Sequence, residues 1–472
     1  MLPQILALLL LPPTSAVAPS LTGAWPSYIN ALPALQLPHA PLLGNGHLGA
    51  IASSSSPARN ASAAGPGCAN ALDIHLNTNS FWSCTACSSG IDPDKVGVAC
   101  CSVAALGGVS VRLAPTFGAA PLPSFSAAQV LANATLTSAW ATAAGSAVLT
   151  ATVVHPARDV AVTNVSFAAA GPPEPQALTV QLATWVLGNG AIAGSWNTGV
   201  PAAARAGCAD ASGAEVPCSG ASAALVFVSR NASTVAAAVM PVTAALATGV
   251  LLGPGAALLG CAVGAAPAGP PGSPWEALLT VSIPTGSWAA AVTAEAEERG
   301  PGLGDPAAAA LAAAADVLAA DAPTSVADAA AAWWLEFWSA SSITLPSRPA
   351  IQDLWYGALF ALAGASSTRS DPGLTGPGLY GPWATVDGPN WHGDLTLCVF
   401  LSLIFPAFLA RLFHHASYAP LFLFAVTTTT RRPSTGSLRP TTPSSPSPTG
   451  CPSPTGWGLL APRRRCTLPW RT

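Results

Sequence analysis

Between Asp371 and Asp394 the chain reads DPGLTGPGLYGPWATVDGPNWHGD, which sets two Trp, one Tyr, one His and three Asp in Gly- and Pro-rich backbone. Those residue types in that kind of backbone suit the wall of a sugar site. Indole faces stack on the C–H faces of pyranose rings, carboxylates and imidazole take the hydroxyls, and Gly and Pro hold fixed non-helical shapes. The candidate substrate contacts are Trp383, Trp391, His392 and Asp394. A rigid structural turn is the competing reading, and Pro372, Pro377, Pro382 and Pro389 support it in part.

Three further stretches carry polar or aromatic groups at regular spacing. In Pro41–Ala50 (PLLGNGHLGA), Gly44, Asn45 and Gly46 can take positive φ cheaply, as an ordinary β-turn needs. The Lys and spacing of a phosphate loop are absent there. In Asp73–Trp82 (DIHLNTNSFW), alternation on a strand puts Asp73, His75, Asn77 and Asn79 on one face, expected to be a solvated face. In WWLEFW, Trp334 and Trp338 stand at i and i+4 on one helix face, expected to pack a β domain against a helical domain, with Glu336 as an anchor more than a catalyst.

The elements that must position these groups follow from texture. From about residue 20 to 300, short apolar runs alternate with Gly, Pro, Asn and Ser. Ser146–Val154, Val160–Phe167, Leu178–Leu187, Ala224–Ser229 and Ala277–Ile283 are rich in β-branched residues. Many spaced strands without intervening helices predict an all-β sandwich, not a doubly wound sheet. Asp305–Ala340 then turns Ala- and Leu-rich behind an Asp-Pro start, a helical hairpin or linker, and Ala350–Ala365 is a further helix leading into the aromatic loop. After Cys398 the character breaks. Residues 401–426 are apolar but interrupted by Pro406, Arg411, His414 and His415, and residues 427–456 are rich in Thr, Ser and Pro. That break fits read-through of non-coding sequence or a frame change better than a membrane span.

Composition narrows the partners. The chain has 472 residues, of which 8% are charged, and its single lysine is Lys95. Nucleic acid is therefore excluded as a partner and a polybasic membrane anchor has no residues to build it. The formal charge of −3 hides an uneven distribution, because residues 401–472 hold eight Arg and no acid, leaving nine basic against 20 acidic residues before them. Residues 1–18 (MLPQILALLLLPPTSAVA) read as a signal peptide with an A-x-A end at Ala16 and Ala18, or as an uncleaved anchor too short to span comfortably. Asn60, Asn133, Asn164 and Asn231 open Asn-x-Ser/Thr sequons, which fit a secreted or extracellular protein. Cysteine usage agrees: eight of the 11 Cys lie before residue 300, and an oxidising compartment makes disulfides the expectation. Cys208 and Cys218 flank a short loop, while Cys84, Cys87, Cys100 and Cys101 cluster. A zinc site from that quartet is disfavoured, since the adjacent Cys100 and Cys101 suit one tetrahedral site poorly. No metal and no cofactor is expected.

Taken in order, PLLGNGHLGA, DIHLNTNSFW, HPARDVAV, AWWLEFWSASSITLP, DLWYGALFALAGASS and GPGLYGPWATVDGPNWHGDLTL resemble the six-hairpin glycosidases of the type containing the family 95 α-L-fucosidases. Family 65 phosphorylases and acid trehalases are more distant relatives in shape. The resemblance covers roughly residues 25–397. Between the signal peptide (1–18) and the non-matching tail (398–472), it implies an N-terminal all-β supersandwich (19–302), a helical linker (303–345) and the start of a truncated (α/α)6 barrel (346–397). It also implies inverting hydrolysis of a terminal glycosidic bond, an α-L-fucoside, in an oligosaccharide or cell-wall glycan. In such enzymes the NWHGD-like segment runs into a strip with two Asn that orient water. Here that strip falls at Cys398, Val399 and Phe400, so this chain is expected to lack catalytic residues and hydrolytic competence. A non-catalytic glycan-binding or structural secreted protein is the alternative.

Overall fold

A computed structural model describes residues 22–25, 40–53, 71–86, 99–113, 124–141, 145–171, 177–186, 200–209, 215–216, 223–231, 243–263, 275–285, 288–294, 306–319, 322–340, 342–366, 378 and 380–385. The chain divides into two units, Met1–Thr396 with Leu460–Thr472 and Leu397–Leu459, and every described residue lies in the first. The signal peptide, the 401–426 apolar run and the Thr/Ser/Pro tail expected from sequence lie outside the described residues.

Strands come first: β1 (Thr22–Trp25), β2 (Leu42–Gly44), β3 (Leu48–Ser53), β4 (Ala71–Thr78), β5 (Trp82–Ala86), β6 (Ala99–Val103), β7 (Gly107–Leu113), β8 (Ser124–Val130), β9 (Thr135–Ala141) and β10 (Ala147–Val154). They continue as β11 (Ala161–Ala168), β12 (Ala177–Val186), β13 (Val200–Ala209), β14 (Glu215–Val216), β15 (Ala223–Asn231), β16 (Thr243–Leu252), β17 (Ala257–Val263), β18 (Trp275–Pro284) and β19 (Trp288–Ala294). Three helices follow: α1 (Pro306–Ala319), α2 (Ala322–Ser339) and α3 (Pro349–Ala365).

Two large antiparallel sheets carry the β region. One has the order β1-β8-β9-β10-β11-β19-β16-β15-β13-β14, the other β17-β18-β12-β7-β4-β3-β2, and β5 and β6 form a separate pair. Alternation sets their inner faces. In β9, Leu136, Ser138 and Trp140 are buried between half-buried or exposed neighbours, which is the period of two that a half-covered strand demands. The two sheets touch through β12 and β16, where the Thr184 hydroxyl donates to Thr248 Oγ1 at 2.6 Å, so neither buried hydroxyl is left unpaired.

The helices cover the opposite face of the larger sheet. Ala310, Ala313, Ala314 and Val317 of α1 and Val326 and Ala330 of α2 pack on Val153, Val162, Ala245 and Ala247. Small side chains on both sides allow that close approach. Helix α2 is anchored by its aromatic stripe: Trp334 and Trp338 are buried and stacked with centroids 5.7 Å apart, and the Trp338 indole N–H donates to Leu131 O in the β8–β9 turn at 3.0 Å. Trp334 also stacks on Phe360 of α3 at 4.7 Å. The stripe is therefore packing between β domain and helices, as its spacing predicts, while Glu336 is exposed. Helix α3 opens at Pro349, whose missing N–H costs nothing there. It is strapped to the preceding segment by Gln352 Oε1, which accepts from Leu345 N at 2.7 Å, and by the Tyr356 hydroxyl, which donates to Ile343 O at 3.0 Å.

Candidate functional site

The turn between β2 and β3, Asn45-Gly46-His47, is where distant parts of the chain meet. Gly46 takes φ +86°, the left-handed region that glycine occupies without a Cβ penalty. Asn45 Oδ1 accepts from the backbone N–H of His47 at 2.9 Å and of Leu48 at 2.8 Å, which closes the turn. Its Nδ2 donates outward, to Arg158 O at 2.8 Å, His155 O at 3.1 Å and Asp159 Oδ1 at 3.3 Å. His47 Nδ1 lies 2.6 Å from Asp159 Oδ2, and its Nε2 lies 2.9 Å from Ser80 Oγ and 3.1 Å from Thr78 Oγ1. With Nδ1–H donating to the Asp159 carboxylate, Nε2 presents its lone pair to the two hydroxyls. Asn79 completes the ring, its Nδ2 donating to Gly46 O at 2.8 Å and its backbone N–H to His47 O at 3.2 Å.

Ser80, His47 and Asp159 thus have the connectivity of a nucleophilic triad. Their surroundings give them a different task. All three are at least nine-tenths buried, Thr78 shares Nε2 with Ser80, and Asp159 is also engaged by Asn45. A nucleophile must reach substrate. These groups instead satisfy one another beneath the turn, and so lock three loops into one arrangement.

The aromatic loop takes its root from this turn. Gly46 N donates to Gly364 O at the end of α3 at 2.8 Å, and the Trp383 indole N–H donates to Leu43 O at 2.7 Å. Trp383 packs on Ile51 and Ala365, with Ala40 and Leu42 alongside. Gly44 and Gly49 are small for this reason. A Cβ on Gly44 would fall on Gly364 O and stand 3.3 Å from the Trp383 ring, while one on Gly49 would fall on Pro382 O and stand 2.7 Å from Trp383 Cδ1. Of the four residues expected to touch a sugar, Trp383 is the one described. It is 5% exposed with its N–H already engaged, so it holds the loop on the β domain. Trp391, His392 and Asp394 lie outside the described residues.

The face carrying Asp73, His75 and Asn77 is not solvated, contrary to the sequence expectation. All three are at most 5% exposed. Asp73 accepts from the Ser110 hydroxyl, to which the Trp185 indole N–H also donates at 3.0 Å, and His75 meets the Trp185 ring edge-on at 5.0 Å. Asn77 Oδ1 accepts from Leu106 N at 3.0 Å, but its buried Nδ2 has no partner. This sheet face therefore meets protein and not water. Sequence alternation reads the same whether a polar face meets water or protein.

The remaining expectations fall as follows. The β5–β6 register sets Cys84 opposite Cys101, a backbone spacing within reach of a disulfide, with Cys100 opposite Thr85. Cys208 sits on β13 opposite Val216, and Cys87 and Cys218 lie outside the described residues. Cys261 is disulfide-bonded. Asn133 is in the β8–β9 turn, Asn164 is in mid-β11, Asn231 ends β15, and Asn60 is outside the described residues. Among the described residues, no group of three or more His, Cys, Asp or Glu is placed to hold a metal, and no helix is long and apolar enough to cross a membrane.

One titrating group borders the network. Burial, aided by the Arg158 guanidinium, lowers the His155 imidazole from its ordinary 6.5, and Nδ1 accepts from Ala157 N at 3.0 Å, a bond only an unprotonated nitrogen can make. As pH falls through 6.5 the unfolded chain takes up a proton that the folded chain refuses. Stability is therefore lost on acidification from neutral pH down to the lowered folded value, and levels off below it. Melting temperatures recorded between pH 7.5 and 5 should fall more steeply for the wild type than for His155→Gln. Parallel curves would remove His155 as the cause.

No family model matches this sequence, and no curated protein does either. Solved structures do match in shape. A protein described as a kojibiose phosphorylase from the human microbiome aligns with a TM-score of 0.51 at 10% identity, covering 81% of this chain and 46% of that one. A bacterial glucoamylase complexed with acarbose aligns at 0.29 and 8% identity, over 73% of this chain and 44% of the other. The chain thus spans less than half the length of the structures it matches. The first likeness shows the fold alone, an antiparallel β domain followed by helices, and does not single out family 95.

Proposed function

We propose that this chain is a secreted, glycoside-hydrolase-like protein that binds terminal sugars of an oligosaccharide or cell-wall glycan, an α-L-fucoside if the family resemblance extends to the sugar, without hydrolysing them. The observation that carries the reading is the seating of the aromatic loop's root, Gly381–Thr385, on the β domain, in a fold shared with a protein described as a sugar phosphorylase. Trp383 fixes the root. Trp391, His392 and Asp394, on the Gly/Pro-rich run that follows, are the proposed sugar contacts, the indole for a ring face and the carboxylate and imidazole for hydroxyls. Inverting hydrolysis needs an acid and a base with water between them. Cys398, Val399 and Phe400 stand where the resembling enzymes place the water-orienting Asn pair, so binding without turnover is expected. Export is supported by the N-terminal sequence and by the disulfide at Cys261.

Calorimetric titration of the full chain with fucosylated and with glucosylated oligosaccharides, beside an NMR assay for released sugar, tests this directly. Saturable binding that Trp391→Ala weakens at least tenfold, with no release, is the expected result. Turnover would end the non-catalytic reading, and absence of binding to either sugar series would end the glycan reading.

A further inference from the structure

Two of the four sequons, Asn133 and Asn164, have described side chains; both asparagines are half-buried, but one lies in a turn and the other in mid-strand. Asn133 lies in the turn Leu131–Ala134 that joins β8 to β9, with Ala134 at φ +50°. Its Oδ1 accepts from Thr135 N at 3.2 Å, which turns the amide so that Nδ2 is the free end, two residues before the threonine hydroxyl of the sequon. Asn133 is half-buried, and its Nδ2 is not among the enclosed unpaired atoms. Asn164 is paired on both sides, with Ala151 of β10 and Ala290 of β19. It shares a strand face with Val162, which α1 and α2 cover, and its own Oδ1 is buried without a partner.

We propose that Asn133 carries an N-linked glycan and that Asn164 stays unmodified in the folded protein. The inference rests on the reading that the chain is exported. The transfer forms a bond from Asn133 Nδ2 to C1 of an oligosaccharide held on a lipid diphosphate. The C1–O bond to phosphate breaks, the lipid diphosphate leaves with the electron pair, and Nδ2 loses one proton to a base of the transferring enzyme. A glycan at Asn133 projects from a turn and disturbs no ladder. At Asn164 the same group would meet the helical layer over β11, so chains modified there would fail to place α1 and α2 and would be retained.

The full chain should be expressed in a eukaryotic secretory host twice, once behind its own first 18 residues and once behind a heterologous leader. Secreted protein is then deglycosylated enzymatically in heavy-oxygen water and its peptides weighed. Asn133 is expected to be labelled and Asn164 not, with Asn133→Gln removing one glycan's worth of gel shift and Asn164→Gln removing none. With the heterologous leader, an unlabelled Asn133 or a labelled Asn164 in the secreted fraction overturns the proposal. Failure of export with the native leader alone strikes the secretion reading and leaves the site assignment to the second expression.

Discussion

Replacing Trp383 with alanine is expected to lower folding stability by about 3–5 kcal/mol, the range for deleting a large buried aromatic, out of the roughly 5–15 kcal/mol typical of a native domain. The ring is 95% withdrawn from solvent against Ile51 and Ala365, and the structure around it cannot collapse freely because Gly44 and Gly49 bring rigid backbone to its edges. Deletion would also leave Leu43 O without its indole donor. Trp383→Phe separates the two contributions. It keeps most of the apolar contact and loses the N–H, so about 1–2 kcal/mol is expected. Urea unfolding gives the energies, and limited proteolysis should show the alanine variant newly cut near Gly381. The experiment also decides what Trp383 does. If its face were the sugar platform that its sequence context invites, alanine would weaken glycan binding and leave the unfolding midpoint in place.

Much of this arrangement is legible in the sequence because it is local. The stretches from Ser146 to Val154 and from Val160 to Phe167 carry their own β-branched signal and coincide with β10 and β11 to within a residue. The Ala-rich run behind Asp305-Pro306 gives α1 and α2, and the i, i+4 tryptophans find the β domain as their spacing demands. Strands β13, β16 and β19 are hard to see because alanine stands where larger residues would mark them; the only Ile, Val or Thr in β19 (WAAAVTA) are Val292 and Thr293. The polar turn is illegible for a different reason. His47 and Asp159 are 112 residues apart, and nothing near either one announces the other. The polar face of β4 misleads because solvent and surrounding protein select the same alternation.

Asp159→Ala is the second large effect expected, at about 2–4 kcal/mol, because it leaves the buried His47 Nδ1–H without an acceptor while Asn45 keeps its two carbonyl partners, His155 O and Arg158 O. The loss should not be confined to that pair. Asn45 sets the β2–β3 turn, the turn donates through Gly46 N to the end of α3, and Trp383 hangs from the neighbouring Leu43. Loosening Asp159 therefore reaches the root of the aromatic loop through three hydrogen-bonded steps. His47→Leu alone removes the imidazole and takes from the buried Asp159 carboxylate its 2.6 Å partner, again a costly state. When both are replaced, neither the Asp159 carboxylate nor the His47 Nδ1–H is stranded, and the loss of Nε2 for Ser80 and Thr78 is common to the single and double His47 variants, so the double variant should be less destabilised than the two single losses combined, by at least about 1 kcal/mol of coupling. A double-mutant cycle in urea measures this, with glycan binding followed on the same four proteins. Strict additivity would mean that His47 and Asp159 merely adjoin. Coupling in stability with parallel loss of binding would make the buried ring the device that holds the loop where a sugar can meet it.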